Sequence, residues 1–231
     1  MPAKLKVAPV PAGRKVAAKR APVVEKRSKP VPSRTQTERR EESDARMIRA
    51  GMKLIAKNGV AGTTLADVGI AAGYSRGLPV YAFGTKDHFL IALLRSMEVW
   101  FEKNLHKELS GKKGLEALRA RIGMHFYSLR RDPIAIAALF SIFSESFYGN
   151  ESLRVEVERF VGQWRRGFAR HLEEAHSAGE IAKVDFEKTA TVYLALVRGA
   201  NLEYLMGNRK LDVDEFEEAV FSFIDHSLAV A

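Results

Sequence analysis

Apolar positions recur at helical spacing along nearly the whole chain after residue 38, and no stretch shows the strict alternation that is typical of a β-strand. Over 38–57, Met47, Gly51 and Ile55 fall on one face of a predicted first helix. The run 134–147 is apolar on nearly all sides, which predicts a buried helix. The pattern therefore predicts an all-α protein of about nine helices.

The stretch 63–83 has the capping and turn residues that are typical of two short helices packed across a tight turn. Thr63 or Thr64 can cap the first of these helices. Asp67 follows Thr64 at the spacing of a capping box, in which each residue satisfies a free backbone N–H group of the other. A helix is therefore expected to begin at this point.

The turn and the second helix follow directly. Gly73 can adopt the left-handed conformation that ends a helix, and Ser75 can cap a second helix over about 76–83. Two short helices across a glycine turn are typical of a helix-turn-helix, whose second helix enters the DNA major groove. Arg76 and Tyr81 are then expected to face outward. An ordinary surface helical hairpin has the same spacing and remains an alternative.

A further helix is expected over 85–109, with Thr85 as its N-terminal cap. The N-terminus of a helix offers free backbone N–H groups and a partial positive charge, and Lys86 adds a cation there. This combination suits a DNA phosphate. The apolar stripe of this helix continues beyond the small domain, so motion at its far end would move Lys86.

A further set of residues occurs in a characteristic order and spacing: Asn58-Gly59, Thr63-Thr64-Leu65, Asp67, Ala72-Gly73-Tyr74-Ser75 and the run YAFGTKD at 81–87. Through these residues the stretch 39–94 resembles the DNA-binding domain of the TetR/AcrR family of transcriptional regulators. Pro79 departs from the family pattern at about the fourth position of the predicted second helix, where its ring would bend or tighten that helix. Ala82 also departs, because the family often has a larger side chain there.

The resemblance implies a sequence-specific regulator, a repressor rather than an activator, that a small and largely apolar ligand releases from its operator. It implies a helix-turn-helix domain over 38–84 and a helical ligand-binding and dimerisation domain over 110–231. No cofactor is expected. Within a helix-turn-helix at about 64–83 and its flanks, the expected DNA-binding residues are Thr63, Thr64, Ser75, Arg76, Gly77, Tyr81 and Lys86, with Arg39 and Arg40 as secondary candidates.

The C-terminal part of the chain contains a group of aromatic residues, a few of which have side chains that end in a polar atom. Each member alone is better explained as ordinary core, because the aromatic residues occur at helical spacing, but together they permit a pocket for an apolar ligand. The resemblance implies an inducer site in this domain, with Glu145 and His171 as possible polar anchors. The candidate pocket residues are His125, Phe126, Phe140, Phe143, Phe147, Trp164, Phe168 and Tyr193.

The last two predicted helices carry more apolar surface than a single outer layer needs, and small residues would allow close helix approach. The alternative is that this apolar surface packs only within one chain, although the resemblance favours a homodimer. A dimer places two recognition helices about one DNA turn apart, which suits a roughly palindromic operator. The candidate interface residues are Tyr193, Leu196, Gly199, Ala200, Phe216, Val220, Phe223 and Ile224.

Charge is concentrated at the N-terminus. The chain has 231 residues and a net charge of +9, and residues 1–37 hold ten Lys or Arg against Glu25 alone. The same segment has six of the eight prolines and no aromatic residue, so it is expected to be a disordered basic arm. Such an arm can add phosphate contacts with salt-sensitive affinity, or serve only as a solubilising tail.

Composition narrows the remaining possibilities. The absence of cysteine, of a signal-peptide core and of an apolar run of membrane-spanning length favours a cytoplasmic protein without a membrane partner. An enzyme is not expected, because the chain has no HExxH motif, no P-loop and no dinucleotide fingerprint, and no catalytic or metal site is predicted. A non-specific DNA-compacting protein that binds through its basic arm is the first alternative, and an all-α enzyme is the second. The expected partners are double-stranded DNA, a second copy of the chain and a small molecule.

Overall fold

The computed structural model describes residues 35–148, 151–207 and 212–228. Within these ranges the chain forms nine α-helices and no β-strand, which confirms the predicted all-α class. The helices are α1 (Gln36–Asn58), α2 (Leu65–Ala71), α3 (Leu78–Phe83), α4 (Lys86–Glu108), α5 (Gly114–Arg131), α6 (Pro133–Glu145), α7 (Glu151–Ser177), α8 (Phe186–Leu205) and α9 (Val213–Leu228).

Most of the predicted basic arm, 1–37, namely residues 1–34, lies outside the described residues. Its last two residues belong to α1, which begins at Gln36. This helix buries Met47, Gly51 and Ile55 on the face that the apolar spacing predicts. It ends where glycine permits a positive φ, because Gly59 has φ of 72° and donates its N–H to the Ile55 carbonyl at 2.8 Å.

Helix α4 runs from the small N-terminal helices into the larger body. Thr85 caps it by accepting a hydrogen bond from the His88 N–H at 3.2 Å. Its first half buries an apolar stripe against α1 and α3, and Phe101 and Leu105 continue that stripe against the body. One continuous apolar core therefore extends from Met47 in α1 to Leu228 in α9.

Helix α6 differs from the prediction of a fully buried helix over 134–147. It starts at Pro133, with Asp132 as its cap, and only Ala138, Leu139 and Ile142 are buried. Ile134 is 47% exposed, and Phe147 lies beyond the end of the helix and is 78% exposed. The prediction was wrong because α6 packs on α1, α5 and α8 by one side only. None of the helices in the described ranges is both long and apolar enough to span a bilayer.

Candidate DNA-binding surface and ligand cavity

A complete capping box begins α2. The Thr64 hydroxyl accepts from the Asp67 N–H at 3.2 Å, and the Asp67 carboxylate accepts from the Thr64 hydroxyl at 2.6 Å and its N–H at 3.2 Å. These bonds hold the pKa of Asp67 below its usual value. Thr63 is buried instead and donates its hydroxyl to the Gly59 carbonyl at 2.9 Å. The structure therefore removes Thr63 from the candidate DNA contacts.

Helix α3 begins two residues later than predicted. Ser75 does not cap it, because the N-cap is Gly77 and makes no side-chain hydrogen bond. Ser75 and Arg76 lie in the turn, where the Ser75 carbonyl accepts from the Leu78 N–H at 3.2 Å. Pro79 explains the shift, since at the second position of a helix its missing N–H has no helical partner to lose, whereas at the fourth position it would remove a helical hydrogen bond.

Pro79 is therefore a packing residue rather than the source of a bend. It is buried in the first turn of α3, where its missing N–H removes no helical hydrogen bond. A Cβ atom at Gly69 of α2 would lie 2.5 Å from the Ser75 carbonyl oxygen and 3.1 Å from Pro79 Cδ. The close approach of α2, the turn and α3 thus depends on glycine at position 69.

The outer side of this helix pair carries most of the remaining candidates. Ser75, Arg76 and Gly77 are exposed in the turn, and Tyr81 of α3 is 86% exposed. Lys86 is the first residue of α4 and is partly buried beside the free N–H groups of that helix. Thr64, Arg39 and Arg40 are also exposed, although the Thr64 hydroxyl is committed to the cap.

A cavity of about 370 Å³ lies between α1, α4, α5, α6, α7 and α8. Its walls are mainly aromatic and apolar, with a small number of polar side chains. Four of the eight predicted pocket residues are in its lining: His125, Phe140, Phe143 and Trp164. The complete lining is Arg49, Met52, Ser96, Met97, Trp100, Phe101, His125, Ser128, Arg131, Asp132, Ala135, Ile136, Leu139, Phe140, Phe143, Phe160, Trp164, Arg198 and Asn201.

The other four predicted pocket residues lie elsewhere. Phe126 is fully buried against Phe216 of α9, with ring centroids 6.5 Å apart. Phe168 is fully buried behind His125, and the Tyr193 hydroxyl is 2.5 Å from the Ser227 hydroxyl. Phe147 is exposed at the end of α6. Helical spacing alone could not separate residues that face the cavity from residues that face solid core.

The polar anchors also differ from those predicted. Glu145 and His171 are absent from the lining, and His171 Nδ1 is 2.9 Å from the Glu174 carboxylate. Arg198 and Asn201 line the cavity instead and were missed by the sequence analysis. The available signal was the position of Asn201, one helical turn beyond Val197 on the buried stripe of an otherwise apolar helix.

His125, Arg198 and Asn201 bring uncompensated polar atoms to the cavity. Across the described residues, His125 Nε2, Arg198 Nε and Nη2, and Asn201 Oδ1 are buried and make no hydrogen bond. Burial, with the nearby charges of Arg121 and Arg198, lowers the pKa of His125 to about 3, so its ring is neutral at pH 7. Burial also lowers the pKa of Arg198.

An ion-pair network ties α4 to α7 beside the cavity. Glu156 is buried and accepts from Arg95 Nε at 2.9 Å and from Arg159 Nη2 at 2.9 Å. Arg159 Nη2 also donates to the Glu98 carboxylate at 2.6 Å. The hydrogen bond from Arg95 and the neighbouring Arg159 lower the pKa of Glu156 to about 2 against the cost of burial. The network fixes the segment of α4 that contains Ser96 and Met97 of the lining.

The predicted dimer residues divide into two groups. Tyr193, Ala200, Val220 and Ile224 are buried within a single chain, so their side chains are not available to a second copy. Leu196 and Phe216 are partly buried, and Gly199 and Phe223 are exposed. The outward apolar surface of α8 and α9 includes Val192, Ala195, Gly199, Leu202, Ala219 and Phe223.

A helix-turn-helix with an exposed turn and second helix, joined to a helical body with a largely apolar cavity, defines the class of DNA-binding regulators that respond to small molecules. Residues 47–93 match the family "Bacterial regulatory proteins, tetR family", and residues 115–229 match the family "BetI-type transcriptional repressor, C-terminal". The two matches together cover well over half of the chain. This protein belongs to the TetR family of transcriptional regulators.

Individual relatives agree with this assignment. The regulator BetI of Burkholderia mallei is 25% identical over 195 residues, which are 82% of this chain and 95% of BetI. The uncharacterised regulator YerO of Bacillus subtilis is 30% identical over 92 residues, and this match spans only 38% of this chain and 32% of YerO. Among solved structures, a transcriptional regulator from Saccharomonospora viridis in complex with choline has the same fold. Its TM-score is 0.73 at 21% identity, over 83% of this chain and the whole of the other.

Proposed function

We propose that this protein is a homodimeric repressor that leaves a roughly palindromic operator when a small, largely apolar ligand enters the cavity. One observation carries the proposal: the helices that build the DNA-binding part also form walls of the cavity. Arg49 and Met52 of α1 line it together with Met97 and Trp100 of α4. A ligand that contacts both helices can act on the helix-turn-helix directly. The proposed regulator binds genomic DNA, and its proposed location is the cytoplasm.

The DNA surface proposed here consists of the turn, α3 and the start of α4. Arg76 and Tyr81 face solvent and suit base edges, while Ser75, Gly77 and Lys86 suit phosphates. Arg39 and Arg40 lie in the first turns of α1, next to the basic segment 1–34. That segment adds sequence-independent affinity in this proposal, and the turn and α3 supply the preference for an operator.

The release step is a change in the distance between the two recognition helices of a dimer. Helix α4 is one rigid element from Lys86, beside α3, to the cavity residues Met97 and Trp100. A ligand that binds more tightly when α4 is tilted shifts the population toward that state. The two α3 helices then no longer match two half-sites one DNA turn apart.

The direct test begins with the operator. DNA fragments that the protein retains from its own genome are sequenced, and binding to the recovered site is measured by fluorescence anisotropy. Arg76→Ala and Tyr81→Ala are expected to weaken operator binding by about 1–3 kcal/mol each and to leave the far-ultraviolet circular dichroism spectrum unchanged. Unaltered affinity of both variants would remove α3 and its turn from the DNA interface.

Two further experiments address the basic arm and the release step. Deletion of residues 1–34 should lower the affinity for DNA and retain the preference for the operator, whereas a compacting protein would lose all DNA binding.

The chain has no cysteine, so Ala71→Cys, at the exposed end of α2, provides a single spin-label site in each protomer. A ligand that releases DNA should change the label-to-label distance in the dimer, and an unchanged distance would contradict the mechanism.

A further inference from the structure

The charges that line the cavity are unbalanced. Arg49, Arg131 and Arg198 contribute three cations, and Asp132 is the one carboxylate among the described lining residues. Asp132 is exposed and its carboxylate accepts from the Ala135 N–H at 3.0 Å as the cap of α6. Arg49 and Arg131 are also exposed, so they lie where the cavity meets solvent. The interior therefore has a positive charge without a matching negative group.

Arg198 is the source of that interior charge. Its Nε and Nη2 atoms are buried and have no hydrogen-bond acceptor within the described ranges. Its Cζ lies 5.4 Å from the ring centroid of Phe143 and 6.0 Å from that of Trp164. Aromatic faces stabilise a cation, but they do not replace the hydrogen bonds that the three N–H groups of Nε and Nη2 lose on leaving water. A desolvated arginine in this state binds an anion strongly.

Two neutral groups next to Arg198 are able to complete an anion site. Asn201 lies on the same helix, is 5% exposed, and has no partner for its Oδ1 atom among the described residues. His125 is 4% exposed and neutral, and its Nε2 atom is also without a partner there. A side-chain amide and a neutral imidazole can each present a donor to an oxyanion, because the amide can turn over and the ring can change tautomer.

We propose that the ligand of this cavity is an apolar organic anion, with a carboxylate that pairs with Arg198 and a hydrocarbon or aromatic body against the aromatic walls. The inference rests on the proposed ligand response and names the chemical class of that ligand. A planar guanidinium matches a carboxylate with two parallel hydrogen bonds, and the low-polarity walls strengthen both. The body of the ligand lies against rings such as Trp100 and Phe140.

The same geometry disfavours a cationic ligand. Aromatic faces bind quaternary ammonium groups, but the guanidinium of Arg198 already occupies the faces of Phe143 and Trp164. A second cation would meet like charge in a desolvated space, at a cost that rises as polarity falls. A ligand such as choline, which the Saccharomonospora viridis regulator holds, is therefore the wrong class for this cavity.

The test compares probes that share an apolar body and differ in the charge of the head group, with choline as a separate cationic probe. The full-length protein is titrated by calorimetry with octanoate, octanol and octylamine, with phenylacetate, phenethyl alcohol and phenethylamine, and with choline. Each acid is expected to bind at least tenfold more tightly than its alcohol and its amine, because only the acid pairs with Arg198. This ranking needs no variant, so it holds whether or not a substituted protein folds.

Variants then assign the effect to one residue. Arg198→Met should weaken acid binding by roughly ten- to a hundredfold and leave alcohol binding within about twofold. Without ligand, the same variant should unfold at a higher temperature than the wild type, because a cation whose Nε and Nη2 atoms are buried without partners is removed. The matched control is Arg170→Met, an exposed arginine of α7 outside the lining, which should change neither quantity.

The outcomes separate this inference from the proposed function. Acids that bind no better than their alcohols, tighter binding of an amine or choline, or unchanged acid affinity in Arg198→Met would each overturn the anionic class. The regulator assignment would be untouched by those results. Acids that bind through Arg198 but do not release the operator would support the ligand class and overturn the proposed coupling between cavity and DNA.

Discussion

The ring of Phe89 on α4 lies across Gly51 of α1, so closely that a Cβ atom at position 51 would be 2.3 Å from Phe89 Cζ. Phe89 also meets Phe83 of α3 edge to face, with ring centroids 5.1 Å apart. Three helices of the DNA-binding part therefore meet at one aromatic side chain. A glycine in the interior of α1 is what lets α4 approach this closely.

We expect Gly51→Ala to destabilise the protein by about 1–3 kcal/mol, because the added methyl group forces the Phe89 ring to move in a packed core. Chemical unfolding followed by circular dichroism measures the change. Gly162→Ala in α7 is the matched control. The nearest atom to its new methyl group is Arg166 Nη1, at 3.1 Å, the end of a flexible side chain. That variant should be neutral or gain up to about 1 kcal/mol from helix propensity, and equal losses in both variants would refute the packing argument.

Lys86→Ala tests the start of α4 as a phosphate site. The variant should weaken operator binding by about 1 kcal/mol, and the slope of log K against log salt concentration should fall in magnitude by about one. Anisotropy titrations over a range of salt concentrations give both values. Lys103→Ala removes an exposed lysine from the far end of the same helix and should leave the slope unchanged. A slope that is equal in wild type and Lys86→Ala would exclude a phosphate contact.

Glu156→Gln tests the ion-pair network between α4 and α7. At pH 7 we expect a loss on the order of 2 kcal/mol, since the change leaves Arg95 and Arg159 without their shared carboxylate. The folded pKa of Glu156, about 2, lies below the usual value of 4.5. Its contribution is therefore complete above pH 4.5 and is lost as the pH falls from 4.5 toward 2.

The check is the free energy of unfolding of both proteins across that pH range. The gap between wild type and Glu156→Gln should narrow steadily as the solution becomes more acidic. Glu173→Gln, at an exposed position on the same helix, should differ little from wild type at any pH. A gap that does not depend on pH would show that the carboxylate charge of Glu156 is not what stabilises the contact.

Leu202→Glu tests the outward face of α8 and α9 as the dimer interface. Leu202 is exposed in the single chain, so the change should not unfold the monomer. A carboxylate buried between two copies is costly, and the variant should sediment as a monomer at micromolar concentration. Operator affinity should then fall at least tenfold, because the two half-sites are no longer bound together. Val99→Glu alters an exposed valine on α4 instead, and its dimer should persist.

Features that depend on neighbours within a few residues could be predicted from the sequence. The apolar spacing of α1, the Thr64 and Asp67 capping box, the glycine stops and the Thr85 cap all follow from local hydrogen bonds and helical periodicity. The start of α3 was misplaced because the sequence analysis put Pro79 at about the fourth position of the helix, whereas it lies at the second. Pro79 sits in the first turn of α3, and it packs on Gly69 of the helix before.

The cavity was beyond local reasoning. Phe126 and Phe143 occur in the same kind of helical pattern, yet Phe126 lies in the solid core and Phe143 lines the cavity. The sequence around Arg198 is that of an ordinary surface arginine. Only the packing of α8 against α7 and α6 removes its Nε and Nη2 atoms from water. By itself the sequence determined the order of the helices, the caps of α2 and α4 and the family, because those depend on short-range chemistry. The tertiary structure alone decided which polar atoms are left without partners, because burial is set by residues far apart in the chain.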